Sequence, residues 1–416
     1  MARPNRGNTR RPQRGKGDQS PVFPGGITDA VMVNGYSSEW LSKGFDWVYP
    51  TEIIARKGQT QSGSVVAIVS KEGRLHGVGV ASDGKVAVRR FRTDAGPIDE
   101  PFIAVQVSAA RARRRLSPGT TAWRLIHGEN DSLPGIRVDI WGSHATVSMD
   151  HDSLEGVLSM VVAEVGADPG IDTIWLSARP EHGEPRGPSS DDRCLVGDKS
   201  NNETVVTEHG LRYRVSPPLG LDAGLYTDMR EVRRFLSTHW AGRRVLNTFA
   251  YTGAFSVAAA AGGAASVDTV DLAAPAIARA RVNFELNGLE GEQYRFWTED
   301  TFDALDRFRR AGTFFDIVVV DPPSFAHGPK GVWSVEKELS RVVAGCLRVL
   351  EPGGWILVAT NQGSISPKEF QKYIKAAAQK VGRRLRLIHQ GSPPHDIPAA
   401  LDFPESRYLK AWILEG

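Results

Sequence analysis

Beyond residue 240 the chain alternates two hydrophobic rhythms. Short strand-like runs occupy 245–250, 266–271, 293–298, 317–320 and 355–360, the one at 317–320 continuously apolar. Such runs suit strands buried on both faces of a parallel sheet. Between them lie helical segments, among them 254–261, closed by Gly262-Gly263, and 335–350. Two final runs, 385–390 and 408–414, flank a proline-rich loop at 393–404 and read as a closing hairpin. The pattern predicts an α/β domain over 216–416.

The first half reads differently. Residues 28–95 carry short β-like pieces at 46–54, 64–70, 76–81 and 85–91, punctuated by Gly and Asp, as in a small β-barrel. A helix is expected at 102–116. Residues 118–215 suggest a central α/β unit, with strands at 136–140, 144–149, 173–177 and 204–208 and a helix at 153–165. A polar loop with several Pro and Gly, 181–202, reads as mobile, and Trp123 and Trp141 read as core. The predicted domains are thus a basic tail (1–25), a barrel (28–95), a linker helix with the central unit (102–215) and the C-terminal domain (216–416).

Composition narrows the class. With 416 residues, 41% hydrophobic and 24% charged, the chain should hold several soluble domains. Two cysteines exclude a disulfide scaffold and fit a reducing cytosol. No apolar stretch is long enough to span a bilayer, and no hydrophobic segment follows the basic N-terminus, so a cytoplasmic location is expected. The net charge of +3 divides unevenly: residues 1–18 hold Arg3, Arg6, Arg10, Arg11, Arg14 and Lys16 against Asp18. Such a tail should be disordered, and either binds phosphates or only solubilises. Arg89, Arg90 and Arg92 flank one strand, and Arg111, Arg113, Arg114 and Arg115 crowd one helix end. The helix dipole explains one or two of the latter; the rest are candidate phosphate contacts.

The chemistry concentrates at strand ends. The run at 317–320 stops at Asp321-Pro322-Pro323-Ser324-Phe325. Proline cannot continue a central strand, so the sheet must end there. A carboxylate and a prolyl carbonyl can accept from an amine, and Phe325 can stack on a ring. Asp271 ends a strand 18 residues after Gly253, a spacing that suits a carboxylate gripping a ribose diol. Gly253, Asp271, Asp300 and Asp321 therefore stand at successive strand ends, although any one Asp could simply cap a helix. The chain has one glycine where a dinucleotide fingerprint has three, which favours a smaller nucleoside ligand.

With these residues the chain resembles class I S-adenosylmethionine-dependent methyltransferases. It is similar in particular to bacterial 23S ribosomal RNA methyltransferases that join a PUA domain, a central α/β domain and a catalytic domain. The matching blocks are GFDWVYP (44–50), LIHGENDSLPGIRVD (125–139), GLYTDMR (224–230), 247–255, 321–325 and PESRYLK (404–410). The resemblance implies a Rossmann-like catalytic domain with a reversed edge strand. It implies that Tyr226, Asp228 and Arg230 help close the methionine end of the cofactor pocket, and that Phe249, Tyr251 and Gly253 form its first loop. Asp271 would hold the ribose, Asp300 the adenine amine, and Asp321 would stand beside the transferring methyl, with Pro322, Pro323 and Phe325. The implied partner is 23S rRNA or a large-subunit precursor; a homodimer is compatible with it, and no metal is implied.

One position departs from the cytosine-carbon-5 members of that group. Their catalytic cysteine follows the fifth strand, where this chain has Asn361. Carbon 5 of cytosine needs a thiolate added at carbon 6. Cys346 reads as a core residue of a helix and Cys194 lies in a polar loop. A sister group methylating guanine N7 has asparagine in the corresponding stretch. The sequence thus favours N-methylation of an rRNA base. The alternatives are carbon-5 methylation, a non-catalytic RNA-binding or ribosome-assembly protein, and a small-molecule methyltransferase.

Overall fold

The computed structural model describes residues 26–177, 194–328 and 331–416. The basic tail and most of the polar loop expected at 181–202 lie outside these residues. The chain divides into two compact units: 1–114, 124–199 and 398–406 form one; 115–123, 200–397 and 407–416 form the other.

The first unit contains a six-stranded mixed sheet in the order Trp47–Val48, Val88–Arg92, Leu75–Ala81, Val65–Ser70, Ala30–Val33, Ile53–Lys57. Val31, Val33, Val66, Ile68 and Val88 build its core. The pieces expected at 64–70, 76–81 and 85–91 are present; the one expected at 46–54 is two strands, Trp47–Val48 and Ile53–Lys57, parted by a 3-10 turn that begins at Pro50. The strand Ala30–Val33 and the helix Gly35–Ser42 were not legible, because each is short and the helix is only weakly amphipathic. Asn34 caps that helix by accepting from the Ser37 amide at 2.9 Å. A five-stranded sheet follows, Ala122–His127 at one edge and Cys194–Val196 at the other, with the helices Glu100–Arg113 and Glu155–Gly166. The Cys194–Val196 strand corrects the reading of 181–202 as one continuous loop: it pairs with Ile174 and Trp175.

The second unit is a seven-stranded sheet. Its strands are β1 (Arg244–Thr248), β2 (Ser266–Asp271), β3 (Tyr294–Thr298), β4 (Phe315–Val320), β5 (Leu350–Thr360), β6 (Arg386–Gly391) and β7 (Lys410–Glu415). Their order is β3-β2-β1-β4-β5-β7-β6. The first five run parallel, and β7 inserts antiparallel between β5 and β6, the reversed edge expected above. Leu246, Val318, Val320, Ile356 and Val358 pack with the helices Val335–Leu347 and Pro367–Lys380 in one buried cluster. The domain begins earlier than the expected residue 216. The hairpin Thr204–Glu208 with Leu211–Val215 belongs to this unit, where the Arg212 and Arg214 amides donate to Asn287 and Asn283 of the helix Ala274–Leu286 at 2.9 Å.

The strand register brings the site together. Thr248 pairs with both Val270 and Val320, Asp271 with Thr298, and Val320 with Val358. Residues 249, 271 and 321 therefore leave the sheet at one edge, the carboxyl ends of its parallel strands, where α/β sheets bind ligands.

Candidate active site

The loop after β1 is strained. Phe249 and Tyr251 have φ of 53° and 51°, and Gly253 has 75°. Bulky side chains rarely adopt this left-handed region, and such residues persist only where the surroundings over-determine them. They do so here. The Ala250 amide donates to the Val270 carbonyl (3.0 Å) and the Tyr251 amide to Asp271 Oδ2 (2.7 Å). The Thr252 hydroxyl donates to the Gly224 carbonyl (2.6 Å), and Asn283 Nδ2 donates to the Thr252 carbonyl (2.9 Å). A Cβ at Gly253 would meet the Ala280 Cβ at 2.9 Å, so the helices Ala254–Ala261 and Ala274–Leu286 close up only around glycine.

Asp271 carries this frame. Its Oδ1 accepts from the Ala273 amide at 2.8 Å and its Oδ2 from Tyr251. Burial raises its pKa, against the pull of these amides. Asp300 caps the helix Thr301–Arg310, accepting from the Phe302 amide at 3.0 Å. Asp300 thus plays the capping part that sequence alone left open, whereas Asp271 caps no helix and ties the Tyr251 and Ala273 amides together at the ligand edge. Tyr226, 41% exposed, packs on Tyr251 with ring centroids 5.2 Å apart.

Asp321 is the most perturbed acid of the site. Burial and the neighbouring Asp228 push its pKa up to about 7, against the attraction of Arg233. Asp228 accepts from the Tyr408 hydroxyl at 3.1 Å. Arg233 is buried in a bidentate pair with Glu208 (2.6 and 2.8 Å) and donates to the Tyr226 carbonyl (2.7 Å). Sequence reading missed Arg233 and Glu208. Their distance in sequence hides the pair, and only the hairpin's docking joins them.

After Asp321, Pro322 is buried, Pro323 is exposed, and Phe325 is 57% exposed. Trp333 Nε1 donates to the Pro323 carbonyl (2.7 Å), and the Trp333 ring packs on Phe249 at 5.2 Å. The Ser324 hydroxyl donates to Asn361 Oδ1 at 2.8 Å. Asn361, where carbon-5 enzymes of the resembling group carry cysteine, therefore meets the Asp-Pro-Pro segment directly. Lys410 at the start of β7 donates to the Gln362 and Tyr408 carbonyls, and burial lowers its pKa to about 8. Neither cysteine stands at the carboxyl end of a strand of this sheet. Cys346 is fully buried in the core, which pushes its thiol up, and Cys194 belongs to the first unit.

Four expected site residues are corrected by their surroundings. Arg230 is 1% exposed, and its guanidinium is held by Asp396 and the Ala122 carbonyl (3.0 Å), a structural pairing rather than a pocket wall. Arg90 is buried on Asp46 (2.8 Å) and the Leu41 carbonyl (2.9 Å). Arg114 is buried on Asp131 and the Leu125 carbonyl (2.7 Å). Arg89 is also buried, 3.9 Å from Asp150. Buried guanidiniums spent on internal acceptors cannot meet phosphates. Arg111 (paired to Asp168), Arg113 (paired to Asp131 at 3.0 Å) and Arg115 keep exposed side chains.

The residues fit a nucleoside-bearing sulfonium. A backbone-anchored carboxylate stands beside a glycine turn, an aromatic pair covers that turn, and a second acid waits at the next strand end. This fold and this edge define a class I methyltransferase.

The comparisons agree. Residues 185–402 match the S-adenosylmethionine-dependent methyltransferase family, and residues 31–93 match a PUA-like domain. The chain belongs to this S-adenosylmethionine-dependent methyltransferase family. It is 31% identical over 385 residues to ribosomal RNA large subunit methyltransferase I of Shewanella amazonensis, covering 90% of this chain and 96% of that one. It is 29% identical over 393 residues to the protein of that name from Klebsiella pneumoniae, covering 92% and 96%. The crystal structure of SMU.776, a candidate methyltransferase complexed with SAH, superposes with a TM-score of 0.84 at 26% identity, covering 93% of this chain and all of the other. Among the described residues, no helix is long and apolar enough to cross a membrane, and no cluster suited to a metal ion is present.

Proposed function

We propose that the protein methylates a nitrogen of a base in large-subunit ribosomal RNA, without a covalent enzyme intermediate. S-adenosylmethionine supplies an electrophilic methyl on a sulfonium whose leaving sulfide is neutral. Asp271, Asp300, Tyr226, Tyr251 and the Phe249–Gly253 turn hold it. Asp228 supports the same pocket through its bond to Tyr408. The target base leaves its stack and meets Asp321, the Pro322 carbonyl and the ring of Phe325. Pro323 fixes the turn. Asp321, poised near neutrality, accepts the N–H of the attacking amine and relieves the charge that develops there. The rest is alignment of nucleophile and methyl. Arg111, Arg113 and Arg115 contact RNA phosphates, and an rRNA substrate places the enzyme in the cytoplasm.

The observation that carries the reading is Asn361 bonded to Ser324 at the edge where Asp321 stands. No thiol is available there for a carbon-5 mechanism. The rRNA substrate is supported by relatives named as rRNA methyltransferases that match nine-tenths of the chain. Transfer of labelled methyl to naked large-subunit rRNA, or to isolated subunits, tests the substrate. Failure with both, alongside intact cofactor binding, would favour an RNA-binding protein that kept the fold.

A further inference from the structure

The segment PESRYLK (404–410) ends in Lys410, which is 5% exposed. Its ammonium donates to the Gln362 carbonyl at 2.6 Å and the Tyr408 carbonyl at 2.5 Å. Among the described residues no carboxylate pairs with it. A buried ammonium without a counter-ion is a costly filling for a strand position, and a neutral apolar chain would fill it more cheaply. What Lys410 achieves must lie in the two carbonyls it joins.

Those carbonyls belong to the two arms that flank Asp321. Gln362 follows Asn361, whose side chain accepts from Ser324 at 2.8 Å. The Tyr408 hydroxyl reaches Asp228 Oδ2 at 3.1 Å, and Asp228 is, with Arg233, one of the charges that act on Asp321. The register seats the ammonium between them: Lys410 pairs with Thr360, the last residue of β5. The Gln362 amide donates to the Thr360 hydroxyl at 3.2 Å, so the turn begins tight against the strand.

We propose that Lys410 is a positioning residue for methyl transfer: by holding the Gln362 and Tyr408 carbonyls together, it sets where Asn361 and Asp228 stand around Asp321. The ammonium does not touch the reacting atoms and acts through the two arms. This rests on the reading that the target base is received at Asp321.

A double-mutant cycle tests it in the full-length protein, with methyl transfer to large-subunit rRNA as the readout. Lys410→Met should lower kcat at least tenfold while the affinity for S-adenosylmethionine, measured by calorimetry, changes less than about twofold. Ser324→Ala should lower kcat by less. The double variant should be little slower than Lys410→Met alone, because both changes loosen the same turn. Should the methionine variant not fold, Lys410→Gln, which keeps one donor, should fold and lose part of kcat with the same coupling. Wild-type kcat in the variant, losses that multiply, or cofactor affinity falling in step with kcat would overturn the inference alone. A wild-type enzyme inert towards rRNA would overturn the functional reading and this inference with it.

Discussion

Ser324 and Asn361 lie 37 residues apart, yet the serine hydroxyl donates to the asparagine Oδ1 at 2.8 Å. The bond joins the segment that leaves β4 to the turn that leaves β5. Removing a neutral hydrogen bond of this kind costs about 1 kcal/mol. Ser324→Ala should therefore lower kcat about fivefold with cofactor affinity unchanged. Steady-state kinetics beside calorimetry would show it; unchanged kcat would remove the bond from the catalytic account.

Asp271 should matter to both cofactor and loop. On the proposal that Asp271 grips the cofactor ribose, Asp271→Ala should remove a charge-assisted hydrogen bond worth about 1.5–3 kcal/mol, or ten- to a hundredfold in affinity. It also frees the amide that helps to hold Tyr251 at positive φ, so the melting temperature should fall as well. Asp271→Asn keeps an acceptor for that amide and should restore part of the stability but little affinity. A folded alanine variant with wild-type affinity would displace Asp271 from the pocket.

The pH profile follows from Asp321. Its pKa is raised to about 7, so the carboxylate is mostly protonated below that value and charged above it. If the ionised form receives the amine proton, kcat should rise through pH 6–8 and level off. Asp321→Asn should be strongly impaired and flat over the same range, with cofactor binding preserved. The same shift means that folding holds this proton more tightly than the unfolded chain does. Its stabilising effect is complete below about pH 4 and is lost as pH rises through 7. A wild-type rate limb identical in the asparagine variant would assign the titration elsewhere.

The arginines should separate into two behaviours. Neutralising exposed Arg111 and Arg115 should weaken RNA binding and reduce the slope of log affinity against log salt, by at most about 0.9 for each phosphate no longer neutralised. Arg114→Ala should instead unfold the first unit more easily. It leaves Asp131, fully buried, without a main partner, a loss of about 3–5 kcal/mol. Thermal unfolding and salt-dependent binding, run on both sets, distinguish the roles.

This division shows what the sequence could and could not say. Apolar runs located β4 and β5, because strands buried on both faces are mostly apolar, whereas β2 and β3 carry polar residues, Asp268 among them, that the fold pairs internally. Strand ends placed Asp271 and Asp321 at one edge. Arginines are ambiguous in one dimension. Arg90, Arg114 and Arg230 look like surface charge until the fold brings Asp46, Asp131 and Asp396 to them. Arg233 with Glu208, and Lys410 with Gln362, were illegible because each pair joins distant segments and neither residue type announces burial.

The central claim is that a nitrogen receives the methyl and no cysteine takes part. Its most direct test is nucleoside mass spectrometry of large-subunit rRNA methylated by the wild type and by a Cys194→Ser, Cys346→Ser double variant. The account expects the same N-methylated nucleoside from both, with the variant losing little beyond the stability that Cys346 gives the core. Formation of 5-methylcytosine, or a folded double variant unable to transfer methyl, would contradict it.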